Sequence, residues 1–416
     1  MIQIISEKPI SLKKFISEFR QFFSNPTFVS FSIYLSGLFL ELKRTNINSI
    51  VDKTPSAQYQ NIQYFLSESK WKLEDLNTHR LALLQANPAT RATKRGVLVI
   101  DDSSCKKWGF ATQGVGLQYS STEEKTINCN VVVTSAYADK KKRYPIDLRP
   151  YIPKDDSLCK SYEVTFKTKH ELAKELVEDA VKREIPFKYV VFDNWYFSSD
   201  FVTDLNISHL KWITEAEKNR LISYKGKWVR ADEPVKLIPC TKFNRTVTLT
   251  YIYGKDKRLF LYAFRSKIHG LDGEYLVVIA VSKWNDGKPE DVHVFVTNDL
   301  TLDPAEVVKK YAMRWEVECI FKDLKDNVAF DHYQVRSIKA ITRHWHLSVL
   351  AYTFLLRAKA TGSIARSLKS RRIRTIGDAL RGLRTLNNVI AIEWIKNHSV
   401  EFSNYAGLKN PIELAA

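Results

Sequence analysis

The chain has 416 residues and a hydrophobic content of 44%, which is enough to bury a large core, and its length suggests two or three domains. Lys and Arg total 64 against 46 Asp and Glu, and the net charge of +18 favours a polyanionic partner, with nucleic acid as the leading candidate. The alternative is a soluble basic protein without such a partner. Five scattered cysteines without a Cys-x-x-Cys pair support neither a disulfide framework nor a zinc site, and they fit a reducing cytoplasm.

Sequence signals for several other classes of protein are missing. The apolar run at residues 28–42 is too short and too rich in serine for a membrane span. The first residues lack the basic and apolar segments of a secretion signal, and the sequence contains no GxxxxGK[ST] phosphate loop. We therefore expect no membrane association and no nucleotide cofactor.

The region from residue 12 to residue 92 has a helical pattern, with short interruptions at Asn25-Pro26 and at residues 53–55. We interpret residues 1–92 as a helical domain that binds DNA, with candidate contact segments at residues 56–65 and 71–84. The alternative for each segment is an ordinary amphipathic helix. The sequence Asn-Pro-Ala-Thr at residues 87–90 then ends the helical region.

Strand signals begin at residue 97, where a continuous apolar run at 97–100 leads directly into Asp101 and Asp102. Further strands are predicted at residues 128–138, 143–152, 189–192 and 212–214, and helices at residues 169–182 and from near Ser198. The strand at 189–192 ends at Asp193. Strands that feed helices in this order predict a mixed α/β sheet in residues 93–218.

Residues 219–297 differ in character, because strand patterns predominate there. Segments 246–253 and 258–264 flank a predicted turn at residues 254–257, and two more strands are predicted at 275–282 and 292–297. We interpret this region as a β-rich insertion. Residues 298–365 then complete the α/β domain with predicted helices at 310–325 and 343–360, and residues 366–416 form a C-terminal helical segment.

The predicted helix at residues 310–325 has two chemically different faces. At about 100° per residue, an apolar face lies opposite a polar face that holds Tyr311, Arg314, Glu318 and Lys325. Lys322 lies on the same side as this polar face. A carboxylate flanked by cations suits metal-dependent phosphodiester chemistry. The alternative is a surface helix on which Arg314 and Glu318 form an exposed ion pair.

Asp101 and Asp193 each follow a buried strand, where a rigid element would hold the carboxylate at the rim of the sheet. Glu318 would supply a third carboxylate if its helix packs beside that sheet. Three carboxylates without His or Cys form an oxygen-only site that suits Mg²⁺ or Mn²⁺ rather than Zn²⁺. The alternative for each aspartate is a cap on the following helix or turn.

The spacing of Tyr311, Arg314, Glu318 and Lys325 resembles the YREK signature of bacterial insertion-sequence DDE transposases. The resemblance covers residues 96–337, with Val-Leu-Val-Ile-Asp-Asp-Ser at 97–103 and Val-Val-Phe-Asp-Asn-Trp-Tyr at 190–196 as the first two motifs. It implies an RNase H-like α/β fold, a mixed sheet with flanking helices, whose β-rich insertion separates the second Asp from the Glu.

The resemblance also implies that the catalytic metal ligands are Asp101, Asp193 and Glu318, and that they bind two Mg²⁺ ions for which Mn²⁺ can substitute. Asp102 is the alternative first aspartate, because the motif can be aligned one residue later. Strand alternation sends the two side chains to opposite faces, so only one of them should reach the metal ions.

The expected function is that of a DNA transposase that cuts the terminal inverted repeats of its element and joins them to target DNA, acting as a homodimer on double-stranded DNA in the bacterial cytoplasm. The residues expected to contact DNA phosphates are Tyr311, Arg314, Lys322, Lys325 and Arg336. One alternative is a metal-dependent nuclease without strand transfer. Another is a domesticated protein that only binds DNA.

Overall fold

A mixed β-sheet of ten strands forms the centre of the described structure. The protein is represented by a computed structural model, which describes residues 8–40, 44–54, 57–120, 123–161, 163–250, 256–368 and 372–400. The strands are β1 (Val97–Lys106), β2 (Val115–Ser120), β3 (Lys125–Ala138), β4 (Arg143–Tyr151), β5 (Tyr189–Phe192), β6 (Trp212–Glu215), β7 (Leu221–Tyr224), β8 (Lys227–Arg230), β9 (Arg245–Thr250), β10 (Asp256–Ser266), β11 (Tyr275–Asn285) and β12 (Lys288–Thr297).

The strands nearest the N-terminus form the mixed part of the sheet. β1 pairs antiparallel with β3 and parallel with β5, and β5 pairs parallel with β6. β3 in turn pairs antiparallel with both β2 and β4. The apolar run Val97–Ile100 is fully buried at the centre of this sheet, which explains why it lacks polar alternation. The arrangement confirms the predicted RNase H-like mixed sheet.

The β-rich region extends the same sheet. β12 pairs with β6, and β11, β10 and β9 follow in that order, all antiparallel. Among the strands of the described residues, only β7 and β8 pair separately, as a two-stranded hairpin. The predicted strands at 275–282 and 292–297 are present, and the turn predicted at 254–257 lies partly outside the described residues.

Helices surround the sheet and form the N-terminal region. They are α1 (Ile10–Ser17), α2 (Asn25–Gly37), α3 (Ile47–Val51), α4 (Tyr59–Ser67), α5 (Leu73–Gln85), α6 (Ser157–Lys160), α7 (Lys169–Lys182), α8 (Ser199–Ile207), α9 (Pro234–Leu237), α10 (Pro304–Ala312), α11 (Trp315–Val328), α12 (Ile338–Thr361), α13 (Ser363–Ser367) and α14 (Ile376–Asn397). The helical character predicted for residues 12–92 is therefore confirmed. In the part of the chain that is described, no helix combines the length and the apolar character needed to cross a bilayer.

The long helix α12 is buried along most of its length because α1, α2, α4, α5, α11 and α14 all pack against it. Several helices lie directly on the sheet: α7 packs on β3 and β4, α11 packs on β1, β3 and β4, and α10 packs on β5, β6 and β9. Thr168 starts α7 with a capping box that includes Glu171, which explains why this helix begins where its pattern predicts. Because α11 lies on β1, it can bring its polar residues to the centre of the sheet.

Candidate active site

Asp101 lies where β1 and β5 diverge. Ile100 pairs with Phe192, the last residue of β5, while Asp101 still pairs with Thr134 of β3 on the other side. The prediction that Asp101 occupies the last position of its strand is therefore wrong, because β3 is long enough to continue pairing with β1 as far as Lys106. Asp101 lies in the middle of β1 and is at a strand end only with respect to β5.

Asp193 directly follows β5, so its backbone lies one step beyond the Ile100–Phe192 pair on the neighbouring parallel strand. Its carboxylate accepts a hydrogen bond from the backbone N–H of Tyr196 at 3.3 Å and thereby caps a short 3₁₀ turn. The hydroxyl of Thr214 on β6 donates to the carbonyl of Asp193 at 3.2 Å. The capping role considered for this aspartate is thus present, and it fixes the carboxylate beside Asp101.

The segment predicted as one helix at residues 310–325 is two helices, α10 and α11. Met313 and Arg314 join them, and both residues keep right-handed helical dihedral angles. The backbone N–H groups of Arg314 and Val317 donate to the carbonyls three residues earlier, as in a 3₁₀ turn, so the helix is tightened at this point. The prediction of one continuous helix is therefore wrong at the position of Arg314.

Arg314 connects the sheet to α11. Its Nη1 lies 3.0 Å from Asp101 Oδ2, and its Nη2 lies 3.0 Å from Glu318 Oε1. The ion pair between Arg314 and Glu318, which the surface-helix alternative predicts, is present. However, the Arg314 side chain is only 19% exposed, and it also pairs with Asp101 on β1. One guanidinium therefore brings the first and third predicted carboxylates together.

Asp101, Asp193 and Glu318, here called the carboxylate cluster, all have raised pKa values. Burial raises the pKa of Asp101 to about 7, with Arg314 opposing the shift and the charges of Asp193 and Asp102 adding to it. Burial also raises the pKa of Asp193 above its usual value, again with Arg314 opposing. The pKa of Glu318 is raised for the same reason. Several carboxylates therefore share a partly buried region in which Arg314 provides the main compensating charge.

Asp102 points to the other side of the sheet, as strand alternation predicts. Its Oδ2 lies 2.9 Å from the ammonium of Lys169 at the start of α7, and its Oδ1 accepts a hydrogen bond from the Tyr196 hydroxyl at 3.0 Å. Tyr196 thus donates to Asp102 through its hydroxyl and to Asp193 through its backbone. Asp102 is already neutralised and held by two partners, whereas Asp101 faces Arg314 and Glu318.

The other predicted DNA-binding residues occupy different environments. Tyr311 is half-buried and packs against Phe295, and burial raises its pKa well above the usual range. The ammonium of Lys325 donates to the carbonyl of Ser104 on β1 at 2.9 Å, which ties α11 to the sheet. Lys322 and Arg336 are exposed. Only Arg314 of the predicted cations therefore contacts the carboxylate cluster directly.

Sequence reasoning did not identify Arg143, which anchors the helix carrying Glu318. Arg143 at the start of β4 forms ion pairs with Glu316 at 2.6 Å and with Asp323 at 3.3 Å, two turns apart on α11. The only sequence signal was the pair of acids on one side of the helix. Lys169 and Tyr196 were also missed, although Tyr196 belongs to the motif that contains Asp193.

The carboxylate cluster fits a divalent cation by its donor atoms, because all are oxygen. In the present conformation, no group of at least three His, Cys, Asp or Glu side chains among the described residues is arranged to hold a metal ion. At Asp101 and Glu318 the reason is Arg314, because its guanidinium pairs with both carboxylates and takes the place of a metal cation. Metal binding would require these ion pairs to be exchanged for ligation.

The fold and the site define a class: an RNase H-like mixed sheet with Asp101 on β1, Asp193 directly after the parallel strand β5, and Glu318 on a helix that packs against β1. The chain matches the model of the DDE superfamily endonucleases over residues 18–234, which is just over half of its length. It also matches the transposase DDE domain over residues 162–354. The chain therefore belongs to the DDE superfamily endonucleases, and the second match is to a transposase domain.

Two individual proteins are also similar to this chain. A probable transposase for insertion sequence element IS701 from Microchaete diplosiphon is 24% identical over 332 residues, which cover 77% of this chain and 82% of that protein. A piggyBac transposase in a synaptic complex with hairpin DNA aligns with a TM-score of 0.48 at 10% identity, over 98% of this chain and 86% of the other. The family and the sequence relative together identify a DNA transposase.

Proposed function

We propose that this protein is a cut-and-paste DNA transposase in which Asp101, Asp193 and Glu318 form the catalytic centre. The observation that supports this most is that Arg314 pairs with both Asp101 on β1 and Glu318 on α11. Asp193 directly follows β5, the strand parallel to β1, and its charge helps to raise the pKa of both other acids. The contacts of Asp102 with Lys169 and Tyr196 favour Asp101 as the first catalytic acid.

We propose Mg²⁺ as the cofactor, with two ions held by Asp101, Asp193 and Glu318, and with Mn²⁺ able to substitute. Bound ions of this kind supply Lewis-acid activation of the attacking oxygen and stabilise the charge on the leaving oxygen. The protein's contribution is to hold the three carboxylates on rigid elements. Two connections secure the geometry: Tyr196 holds Asp193, and Arg143 holds α11.

Arg314 has a second task in this proposal. Its guanidinium keeps Asp101 and Glu318 together before DNA binds, and it is placed to donate hydrogen bonds to a phosphate once cations neutralise these acids. Tyr311 would donate to a flanking phosphate through its hydroxyl. Lys325, Lys322 and Arg336 would add positive charge along the path of the DNA backbone.

The proposed substrates are the terminal inverted repeats of the element and a double-stranded target. The net charge of +18 supports a polyanionic partner, and the insertion-sequence relative supports an element with defined ends. We propose that the protein acts as a homodimer on DNA, because two ends must be joined to one target. The same carboxylates would serve end cleavage and the later attack of the freed 3′-hydroxyl on target DNA.

The test uses labelled duplexes that carry the sequences flanking this gene. Wild-type protein in Mg²⁺ should cut at the element end, and a pre-cut end with a 3′-hydroxyl should join to plasmid DNA. A pre-cut end with a 3′-deoxy terminus is the matched control and should not join. Cleavage without joining would identify a nuclease instead, and binding without either reaction would identify a DNA-binding protein.

A further inference from the structure

A cavity of about 400 Å³ is lined by residues that directly follow Asp193 in the chain. Its wall includes Asn194 and Trp195, the two residues that follow Asp193, together with Arg220, Glu217 and His269 from two loops of the β-rich region. Trp195 is 49% exposed, so its indole presents an apolar surface at this wall. The cavity thus adjoins the segment that follows Asp193 and has a cation in its wall.

Arg220 is held in an unusual way. Its guanidinium lies over the ring of Phe197, with 4.4 Å between the Cζ atom and the ring centroid, and its Nη1 donates to the Phe197 carbonyl at 3.4 Å. Its Nε and Nη2 are shielded from solvent, and the described residues offer neither atom a hydrogen-bond acceptor. Stacking therefore fixes the plane of a guanidinium whose other edge has no acceptor.

The edge of the Arg220 guanidinium formed by Nε and Nη2 has the geometry to bind an anion. Nε–H and Nη2–H point in parallel, which is the geometry that grips two oxygens of one phosphate or carboxylate. Unsatisfied donors on a buried charged group are costly, and an anion that accepts from both removes that cost. Because neither atom is exposed to solvent, the guanidinium has to move outward into the cavity for a phosphate to reach this edge. Glu217 in the same wall is exposed and attracts the guanidinium electrostatically, but it gives neither Nε nor Nη2 a hydrogen bond.

We propose that Arg220 binds a phosphodiester of the DNA strand that passes the catalytic acids, and that this cavity accommodates the nucleotide next to it. This inference rests on the proposed transposase function. Arg220 Nη1 lies 3.4 Å from the carbonyl of Phe197, four residues after Asp193, so the guanidinium lies within about 18 Å of Asp193. Successive phosphates on one strand are about 3.4 Å apart along the helix axis, so the contacted phosphate lies within about five nucleotides of the scissile one.

The first experiment measures equilibrium binding to an element-end duplex over a range of salt concentrations without divalent metal. Arg220→Ala should weaken binding by about tenfold or more and make the salt slope shallower by about 0.9, as expected for one lost phosphate contact. Arg220→Lys should keep the slope but bind less tightly than wild type, because a single ammonium cannot grip two oxygens. The matched control is Arg230→Ala, since Arg230 is a half-exposed arginine paired with Asp232 on the neighbouring hairpin, and its loss should change neither quantity.

The second experiment changes the DNA. Neutral methylphosphonates are placed one at a time at about five phosphates on each side of the cleavage site, and binding by wild type and Arg220→Ala is compared. One position should weaken wild-type binding by about tenfold and have little effect on the variant. If every substitution weakens both proteins equally while wild type still cuts the DNA, the inference is wrong and the proposed function stands. If wild type neither binds nor cuts the element end, both are wrong.

Discussion

Replacing Arg143 with alanine should loosen the helix that carries Glu318. The Arg143 side chain is 29% exposed, and its partners Glu316 and Asp323 are 25% and 20% exposed, so these pairs lie between surface and core. Exposed ion pairs contribute about 0–1 kcal/mol, whereas removing one partner of a buried pair costs about 3–5 kcal/mol. We therefore expect Arg143→Ala to lower the free energy of unfolding by about 2 kcal/mol.

The functional effect of this substitution separates positioning from simple stability. With α11 less firmly held, cleavage should require a higher Mg²⁺ concentration for its half-maximal rate. The fold-decrease in the maximal rate should be smaller than the fold-increase in that Mg²⁺ concentration. Arg143→Lys should recover part of the loss. A double-mutant cycle with Glu316→Ala measures the pairwise energy by urea denaturation, which should be about 1 kcal/mol. Wild-type stability together with wild-type Mg²⁺ dependence in Arg143→Ala would refute the reasoning.

Three further outcomes follow from the site and the core. Asp101→Asn should reduce end cleavage by about 100-fold or more, whereas the cleavage rate of Asp102→Asn should stay within about tenfold of wild type. Equal losses in the two variants would contradict the assignment of Asp101 as the first catalytic acid. Lys325→Ala should lower the temperature of unfolding, because its ammonium ties α11 to the Ser104 carbonyl, and an unchanged melting temperature would argue against that role. Burial lowers the pKa of His346 to about 4 from 6.5, so between these pH values the unfolded chain binds a proton that the folded chain excludes, and stability falls as the pH falls. The loss at pH 5 is about 2 kcal/mol, and in His346→Gln this part of the pH dependence should be absent from urea midpoints.

The elements that carry local signals could be predicted from the sequence. The strand at 189–192 and the helix at 169–182 appear at their predicted bounds, and the run at 97–100 forms the first part of the longer strand β1. Each has a continuous apolar run or a regular 3.6-residue pattern with a cap, so neighbouring residues determine it. Asp193 could be placed after its strand for the same reason, whereas Asp101 lies within β1.

Features that depend on distant partners could not be predicted. β1 continues past Asp101 only because β3 pairs with it, and β12 joins the sheet through β6 far earlier in the chain. The break at Arg314 is also invisible in composition, because both residues at the break have ordinary helical dihedral angles. The partners of Asp102 and Arg143 are likewise brought together only by the packing of α7 and α11 on opposite sides of the sheet.

The central claim is that Asp101, Asp193 and Glu318 act as one metal-dependent catalytic centre. Its most direct test is the rate of end cleavage in Mg²⁺ by Asp193→Asn and Glu318→Gln, measured beside the affinity of each variant for the same duplex. We expect both variants to bind DNA with near wild-type affinity and to cleave at less than about one hundredth of the wild-type rate. Wild-type cleavage by either variant would contradict the claim.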